Sequence, residues 1–390
     1  MTNPTPSQPS VHPLLATAQA LFPRLSARSD EIESARRLPP DLAAELAREG
    51  FFRMMLPESL GGLELPPAVS FQIIEAVAKA DGATGWCVMI GASTALTSAW
   101  LPEAAAQAVF GAPDAITGGM AAPFGRAERV EGGYRVTGRW SWVSGGQHCQ
   151  WLVGGAVVTE GGQPRMGPTG LPETRLCFFP AGSVVLHDTW FASGLCGTGS
   201  GDMEVKDLFV PEAYAFSLFS PRRVTSPLYG FPFGLLGMGI PAVALGIARR
   251  AIDEFITLSH QKTLVLERRQ LAARPAAQEA VAVAEATVRS ARAFVLEALH
   301  NLYAESTRGP VSLSARAELR LAMTHATRSA ARAVDGMYEA AGGSAVYRSS
   351  PLQRCFRDVH VATQHAYVAP PTLELIGGLL LGLDVPAPTL

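Results

Sequence analysis

The order of helical and strand-like patterns along the 390 residues is the feature that most constrains the fold. Over residues 14–112 apolar residues recur at three- to four-residue spacing, with Leu42 and Leu46 on one stripe. Over residues 116–220 short runs rich in β-forming residues are separated by Gly and Pro, and the helical period returns beyond Pro232. Because strands and helices do not alternate, a parallel nucleotide-binding sheet is disfavoured. The pattern predicts an α+β fold with the strands grouped between two helical regions.

The same pattern gives the domain boundaries. We predict an N-terminal helical domain over residues 14–113, a central β-domain over 114–222 and a C-terminal helical bundle over 223–390. In the last region Ala and Leu fill an inner stripe while Arg and Asp lie outside, which is typical of a helical bundle.

Composition excludes several classes of protein. Hydrophobic residues make up 48% of the chain and charged residues 17%, which is enough apolar material for a large core. The formal net charge is -2 and the basic residues are spread out, so nucleic-acid binding has no support. The five cysteines form no CxxC pair, which favours reduced thiols and a cytoplasmic location. The longest apolar stretch, residues 235–248, is predicted to be too short for a membrane span, and residues 1–13 lack the pattern of a signal peptide.

A tryptophan-rich segment, Gly138 to Trp151, is the strongest indication of function. Strand alternation predicts that Trp140 and Trp142 share one face. The run then ends at Ser144-Gly145-Gly146, where a hydroxyl lies beside backbone that is open to close approach. Such a segment suits a planar heteroaromatic ring with a polar edge. From these residues alone, a well-packed sheet corner is an equally good interpretation.

Two other kinds of motif do not support a site. Gly197–Gly201 and Gly234–Gly239 look like phosphate loops, but neither lies between a predicted strand and a helix. His360 and His365 are five residues apart, roughly 140° around a helix, and would not share a metal from one face. We therefore expect no metal site.

Several segments in this chain resemble, in the same order, the acyl-CoA dehydrogenase superfamily. They are Arg37–Gly50, Ala80–Trp86, the triplet Trp142-Val143-Ser144, Gly194–Asp202, Ala340–Gly343 and Arg357-Asp358. The resemblance covers roughly residues 15–380. It implies that family's fold, with an N-terminal α-domain, a central antiparallel β-domain and a C-terminal four-helix bundle.

The resemblance also identifies an unusual catalytic position. In many members a glutamate removes the α-proton of an acyl-CoA, and alignment on Arg357-Asp358 places Ala366 there, directly after His365. A second glutamate position used by other members falls near Leu236. Dehydrogenation therefore lacks its proton acceptor at both positions.

A histidine in place of the glutamate resembles the two-component flavin monooxygenases of the superfamily. That resemblance implies the oxygenase component, which takes reduced flavin (FMNH2 or FADH2) from a separate NAD(P)H:flavin reductase. With O2 it would hydroxylate a small aromatic or amine substrate through a C4a-hydroperoxyflavin. An imidazole titrates near neutrality, so His365 would serve as acid and base. The resemblance also implies a homotetramer.

The site residues implied by the resemblance have specific roles, each with a plainer alternative. His365 and Ser144 would be catalytic, although His365 would also fit as a core histidine. The cofactor would contact Trp142, Val143, Ser144, Arg268, Gly342 and Gly343. Arg268 would otherwise be solvated surface charge, and the two glycines only a helix break. Trp86 and His148 would line the substrate pocket, unless His148 only caps the turn after Gly146.

Two other functions remain open at this point. One is a dehydrogenase or oxidase acting on an acyl thioester or a nitroalkane, and the other is a flavin-free binding relative. The thioester function is weakened because Met120–Gly125 replaces the dehydrogenase segment that contacts acyl-CoA.

Overall fold

A computed structural model describes residues 12–167, 170–264, 269–385, 387 and 390. Helices occupy the part of the chain before the sheet. They are α1 (Pro13–Ala20), α2 (Phe22–Ala27), α3 (Ser29–Ala35), α4 (Pro40–Arg48), α5 (Pro67–Ala80), α6 (Gly82–Ala95) and α7 (Glu103–Phe110). Asp81 caps α6, because its Oδ1 accepts from the Thr84 backbone N–H at 2.8 Å. The predicted stripe residues Leu42 and Leu46 are fully buried.

The central region is a β-domain. Its strands are β1 (Thr117–Val130), β2 (Gly133–Trp140), β3 (Trp151–Glu160), β4 (Gln163–Pro164), β5 (Thr174–Pro180), β6 (Val185–His187), β7 (Asp202–Pro211) and β8 (Ala215–Phe216). They form one sheet in the order β6-β7-β2-β1-β3-β5-β8, with β4 beside β3.

One strand pair departs from the predicted antiparallel sheet. β1 runs parallel to β3, in a pairing that places Thr117 opposite Trp151, whereas the other pairs of this sheet are antiparallel. The pair also shifts register between Met120 and Gly125, within the segment that differs from the dehydrogenases. The sheet is therefore mixed, because β2 and the loop that follows it connect β1 to β3 in the same direction.

The C-terminal region is a bundle of long helices. It comprises α8 (Pro232–Gln261), α9 (Pro275–Ser306), α10 (Leu313–Ala341), α11 (Pro351–Ala362) and the shorter α12 (Pro371–Leu380), with β9 (Thr263–Leu264) and β10 (Arg269–Gln270) after α8. In the described part of the chain the first strand begins at Thr117 and α8 begins at Pro232, whereas the β-domain and the bundle were predicted to start at 114 and 223.

Helix α8 lies at the centre of the molecule and is longer than its apolar run indicated. By length and composition its 30 residues could cross a membrane, but 83% of its most apolar window is buried inside the fold. It packs against α5, α6, α10 and α11, so its apolar surface contacts protein on several sides.

Trp140 and Trp142 do not share a face, which corrects the prediction for this strand. β2 ends at Trp140, whose side chain is fully buried, whereas Trp142 lies beyond the strand with φ 65° and is 59% exposed. A positive φ breaks the strand alternation on which the prediction relied. The two tryptophans therefore have different roles, and only Trp142 is available to a ligand.

Trp140 lies flat against the sheet because three glycines make room for its ring. A Cβ added at Gly125, Gly138 or Gly154 would come within 2.4, 2.6 and 2.8 Å of the indole. The indole N–H donates to the Gly155 carbonyl at 2.7 Å, so the buried polar group is satisfied.

Candidate active site

Two loops beside the sheet form one side of the site. The first loop, residues 141–149, follows β2, and the second, residues 194–201, precedes β7. The Val143 N–H donates to the Gly201 carbonyl at 2.9 Å, and the Gly145 N–H donates to the Thr198 carbonyl at 2.8 Å. The backbone itself therefore fixes the two loops against each other.

The Arg357-Asp358 pair holds the second loop from the opposite side. Asp358 Oδ1 accepts from the Leu195 N–H at 2.6 Å, and Arg357 Nη1 donates to the Ser193 carbonyl at 2.7 Å. A Cβ at Gly194 would lie 2.3 Å from the Arg357 carbonyl oxygen, so only glycine allows this approach. The pair used to align the sequence thus positions the loop rather than reacting itself.

Ser144 is buried at the point where the two loops meet helix α6. The Trp86 indole N–H donates to Ser144 Oγ at 3.0 Å, and Ser144 Oγ lies 2.7 Å from Ser200 Oγ. Ser200 Oγ in turn lies 2.6 Å from Thr198 Oγ1, which donates to the Leu195 carbonyl at 2.8 Å. Ser144 therefore belongs to a row of three hydroxyls. Thr198 and Ser200 were not predicted as site residues, because their glycine-rich segment was assessed as a phosphate loop and as a family resemblance, neither of which gives a role to its hydroxyls.

His365 lies on the other side of Trp86. The centroids of the two rings are 6.0 Å apart at an interplanar angle of 57°. The sequence placed His365 in the last long helix, but α11 ends at Ala362 and His365 lies in the turn before a 3₁₀ segment, Ala366–Val368. Trp86 thus contacts both predicted catalytic residues, Ser144 through its N–H and His365 through its ring.

The tautomer of His365 follows from its backbone contact. The Tyr367 backbone N–H donates to His365 Nδ1 at 3.2 Å. A neutral imidazole carries one proton, so that proton is assigned to Nε2. His365 is therefore arranged as a hydrogen-bond donor through Nε2.

Burial keeps the His365 imidazole neutral. Desolvation, followed by the positive charge of Arg320, lowers the pKa of His365 to about 4. The Arg320 guanidinium stacks on the Tyr367 ring at 4.0 Å and is itself buried. Neither Arg320 nor Tyr367 could be predicted as part of the site, because α10 and the turn after α11 meet only in the folded chain.

His148 lies beside the first loop. A Cβ added at Gly145, which has φ 69°, would lie 3.4 Å from His148 Nε2. Burial is the main cause that lowers the pKa of His148 to about 4, so this imidazole is also neutral. Within the described part of the chain, its buried Nε2 has no hydrogen-bond partner. A buried polar atom in this state indicates a missing partner such as a ligand or water.

The loop residues fit a planar ring system with a polar edge. Trp142 offers an exposed aromatic face in a backbone conformation that is costly for a bulky residue, and such strain is concentrated at functional sites. The neighbouring Val143 is buried and anchors the loop, and Ser144 Oγ can make one more hydrogen bond beyond its contacts with Trp86 and Ser200. These groups suit an isoalloxazine, whose flat surface carries a hydrogen-bonding edge.

The other three predicted cofactor contacts lie away from this cluster or outside the described residues. Helix α10 ends at Ala341, and Gly342 follows with φ 58°. A Cβ at Gly342 or Gly343 would meet nothing within 4 Å, so both glycines border open space. Arg268 lies outside the described residues.

A cavity in the described part of the fold lies elsewhere. It has a volume of about 220 Å³ at the N-terminus of α6, and Asp81, Arg250, Arg354 and Asp358 are among its lining residues. The Trp142 side chain is exposed beside the buried Ser144, so the aromatic face of the first loop is accessible. Over the described ranges, no group of three or more His, Cys, Asp or Glu side chains is placed to hold a metal ion.

Comparison with known proteins identifies the family. Residues 14–107 match the N-terminal domain of acyl-CoA dehydrogenase, and residues 238–370 match its C-terminal domain. The chain is 34% identical over 358 residues to an indole-3-acetate monooxygenase of Pseudomonas putida, a match that covers 91% of this chain and 90% of that protein. The chain belongs to the acyl-CoA dehydrogenase family.

Further relatives specify the branch. The chain is 31% identical to the flavin-dependent monooxygenase, oxygenase subunit HsaA, of Rhodococcus jostii, with 89% of this chain and 92% of that protein covered. The solved structure of XiaF from a Streptomyces species, in complex with FADH2 and glycerol, is 25% identical with a TM-score of 0.87 and covers 96% of each chain. Within the family, the protein is a flavin-dependent monooxygenase, so the predicted fold and enzyme class are confirmed.

Proposed function

We propose that this chain is an oxygenase component that hydroxylates a small aromatic or amine substrate with reduced flavin and O2. One observation carries the proposal: two neutral groups, Ser144 and His365, flank Trp86 where a dehydrogenase would need a carboxylate. Ala366 and Leu236 occupy the two positions where the family's glutamate would stand. A site without a carboxylate base does not support α-proton removal from a thioester.

Reduced flavin, when bound, supplies the electrons that activate O2, and the chain's residues control the surroundings of that chemistry. Trp142 would provide the stacking surface for the ring, and Ser144 Oγ would hydrogen-bond its polar edge at N5. Trp86 excludes water between Ser144 and His365, since its side chain is only 8% exposed.

His365 Nε2 donates a hydrogen bond to the oxygen atom that is transferred or to a polar group of the substrate. To act as a base at Nε2, the imidazole would have to move its proton to Nδ1 and lose the bond from Tyr367. That bond contributes about 1 kcal/mol, which favours the donor role. His148, neutral and half-buried beside Gly145, offers its buried Nε2 as a second polar contact for the substrate or the ring.

Catalysis is tested with the purified protein, a flavin reductase, NADH and a panel of indoles, phenols and arylamines that includes indole-3-acetate. We expect hydroxylated product from at least one compound, dependent on reduced flavin and O2. Bleaching of oxidised flavin by an acyl-CoA without oxygen insertion would contradict the proposal. The same panel run with FMN and with FAD identifies the preferred flavin, and the FADH2 complex of XiaF favours FADH2.

A separate NAD(P)H:flavin reductase is the expected partner. The relative from Rhodococcus jostii is named an oxygenase subunit, which supports a system with a second component. This chain alone should therefore not oxidise NADH in the presence of flavin. A cytoplasmic setting fits both the need for NAD(P)H and the five free thiols.

The active oligomer is a homotetramer. The flavin surface at Trp142 is open in one subunit, and Gly342-Gly343 are followed by Val346 and Tyr347, which are 61% and 67% exposed. A neighbouring subunit that covers these apolar side chains would close the site. Light scattering of the flavin-loaded protein tests this assembly, and a monomer that binds flavin would contradict it.

A further inference from the structure

We infer that Ser200 and Thr198 are positioning residues that make Ser144 accept, rather than donate, a hydrogen bond at the flavin N5 edge, and so select reduced over oxidised flavin. The inference rests on the proposed placement of Ser144 at N5. Reduced flavin carries an N5–H donor, whereas oxidised N5 only accepts. The direction of the hydroxyl chain therefore decides which form is better bound.

The contacts favour one direction of hydrogen-bond donation along the three hydroxyls. Trp86 N–H can only donate, so Ser144 Oγ accepts from it at 3.0 Å. At the other end the Leu195 carbonyl can only accept, and Thr198 Oγ1 donates to it at 2.8 Å. With the Thr198 proton committed, Ser200 donates to Thr198 and Ser144 donates to Ser200, across gaps of 2.6 and 2.7 Å. Ser144 then presents only a lone pair.

The reverse direction loses one hydrogen bond. If Thr198 donates to Ser200 and Ser200 donates to Ser144, the Ser144 proton points outward and the bond from Thr198 Oγ1 to Leu195 is broken. The Leu195 carbonyl keeps its contacts with the Thr198 backbone N–H and the Trp190 indole N–H, both at 3.1 Å, so the loop remains in place. The cost is about one net hydrogen bond.

The cost of this one hydrogen bond determines how strongly the site prefers reduced over oxidised flavin. When Ser144 accepts from the N5–H of reduced flavin, all hydrogen bonds between the three hydroxyls and Leu195 are kept. When Ser144 donates to oxidised N5, the hydroxyls must donate in the reverse direction. A net hydrogen bond corresponds to a factor of roughly two to ten in the ratio of the two dissociation constants. Burial of all three hydroxyl-bearing residues, with 1–5% exposure, limits replacement of these bonds by water.

Two substitutions remove the hydrogen bond that Ser144 donates to Ser200. Ser200→Ala takes away its acceptor but leaves the Thr198 bond to Leu195 intact. Thr198→Val keeps the side-chain shape and leaves Ser200 without an acceptor for its own proton, so Ser200 donates to Ser144 instead. Thr198→Ser retains the hydroxyl and should behave like the parent. Ser259→Ala is a matched control, because Ser259 is a buried serine whose hydroxyl, among the described residues, donates to the Ile256 carbonyl of its own helix.

The experiment measures anaerobic binding of oxidised FAD and of dithionite-reduced FAD to the full-length protein. In Ser200→Ala and Thr198→Val, the ratio of the oxidised to the reduced dissociation constant should fall about two- to tenfold. The midpoint potential of bound flavin should fall with it, by about 30 mV for a tenfold change. Thr198→Ser and Ser259→Ala should leave both quantities unchanged.

The outcomes separate this inference from the proposed function. A parent that binds reduced FAD but whose ratio is unaltered by both Ser200→Ala and Thr198→Val overturns the positioning role alone. A parent that binds neither form of flavin overturns the proposed function together with it. Because the two substitutions alter different bonds, loss of folding in one leaves the other as the test, and thermal unfolding identifies such a variant.

Discussion

The proton on His365 Nε2 leads to a prediction that separates a donor from a base. His365→Asn can keep the cap, because the Asn Oδ1 replaces Nδ1 as acceptor of the Tyr367 N–H, but it carries no group at the Nε2 position. His365→Gln places an uncharged N–H donor near that position. Loss of a preorganised donor typically costs 10²–10³-fold in rate, so we expect about that loss in His365→Asn, with hydrogen peroxide replacing product. His365→Gln should retain activity within about tenfold of the parent.

The pH dependence of product formation tests the role of His365 independently. With the pKa of His365 lowered to about 4, only about a tenth of the imidazole is protonated at pH 5. A histidine at its ordinary pKa of about 6.5 would be about 97% protonated there, and a base mechanism would lose about thirtyfold. Single-turnover product formation with chemically reduced flavin, measured from pH 5 to 8, should therefore change less than about twofold because of His365.

The donor role of His365 is refuted if His365→Gln is as inactive as His365→Asn and the parent protein loses activity as the pH falls through about 6.5. That result would restore the base role and show that the Tyr367 contact does not fix the tautomer. Flavin binding by both variants, measured alongside, ensures that a lost cofactor is not mistaken for lost chemistry.

Three further predictions concern the loops and the core. Ser144→Ala should fold normally and raise the share of O2 released as hydrogen peroxide, because the N5 edge loses its hydroxyl; unchanged product per O2 would remove Ser144 from the site. Urea unfolding should show stability falling from pH 7 to 5 by about 2 kcal/mol for each of His148 and His365, because their pKa values are about 4 when folded and the unfolded chain takes up the proton at a higher pH. Asp358 opposes this trend, since burial raises its pKa to about 7 and its stabilising proton is lost as pH rises; Asp358→Asn should thus steepen the loss, and an unchanged slope would contradict that pKa. Gly154→Ala should destabilise by about 1–3 kcal/mol through the clash with Trp140, and an unchanged urea midpoint would show that the ring can shift.

The helical and strand regions could be predicted because periodicity is a local property of the sequence. The stripe of Leu42 and Leu46 lies in a helix and the β-rich region over residues 116–220 contains the strands of the sheet, as expected. The positive φ at Trp142 could not be predicted, because only the contacts between two distant loops fix it. The parallel pairing of β1 with β3 was likewise missed, since register depends on which strands meet.

The resemblance predicted which residues would lie at the candidate site, but it did not predict the hydrogen bonds between them. Trp86, Ser144 and His365 were named from the resemblance, and the structure brings them together around one indole. Their hydrogen-bond directions required Thr198 and Tyr367, whose spacing along the chain carries no signal of contact. The roles of Arg268, Gly342 and Gly343 in holding the cofactor stay predictions.

The glycines that surround Trp140 also restrict how this protein can change over evolutionary time. Gly125, Gly138 and Gly154 come from three adjacent strands, yet each is held to the smallest residue by the same indole. A larger residue at Gly125 is tolerated only after Trp140 has become smaller, and a smaller ring leaves a void that the larger residue would then fill. At Gly138 and Gly154 an added Cβ would also lie 2.7 Å from the Gly125 Cα and 2.9 Å from the Phe179 ring, respectively, so these two glycines stay restricted. Trp140 and Gly125 should therefore covary among homologues, whereas the exposed Trp142, two residues from Trp140, can vary with the cofactor.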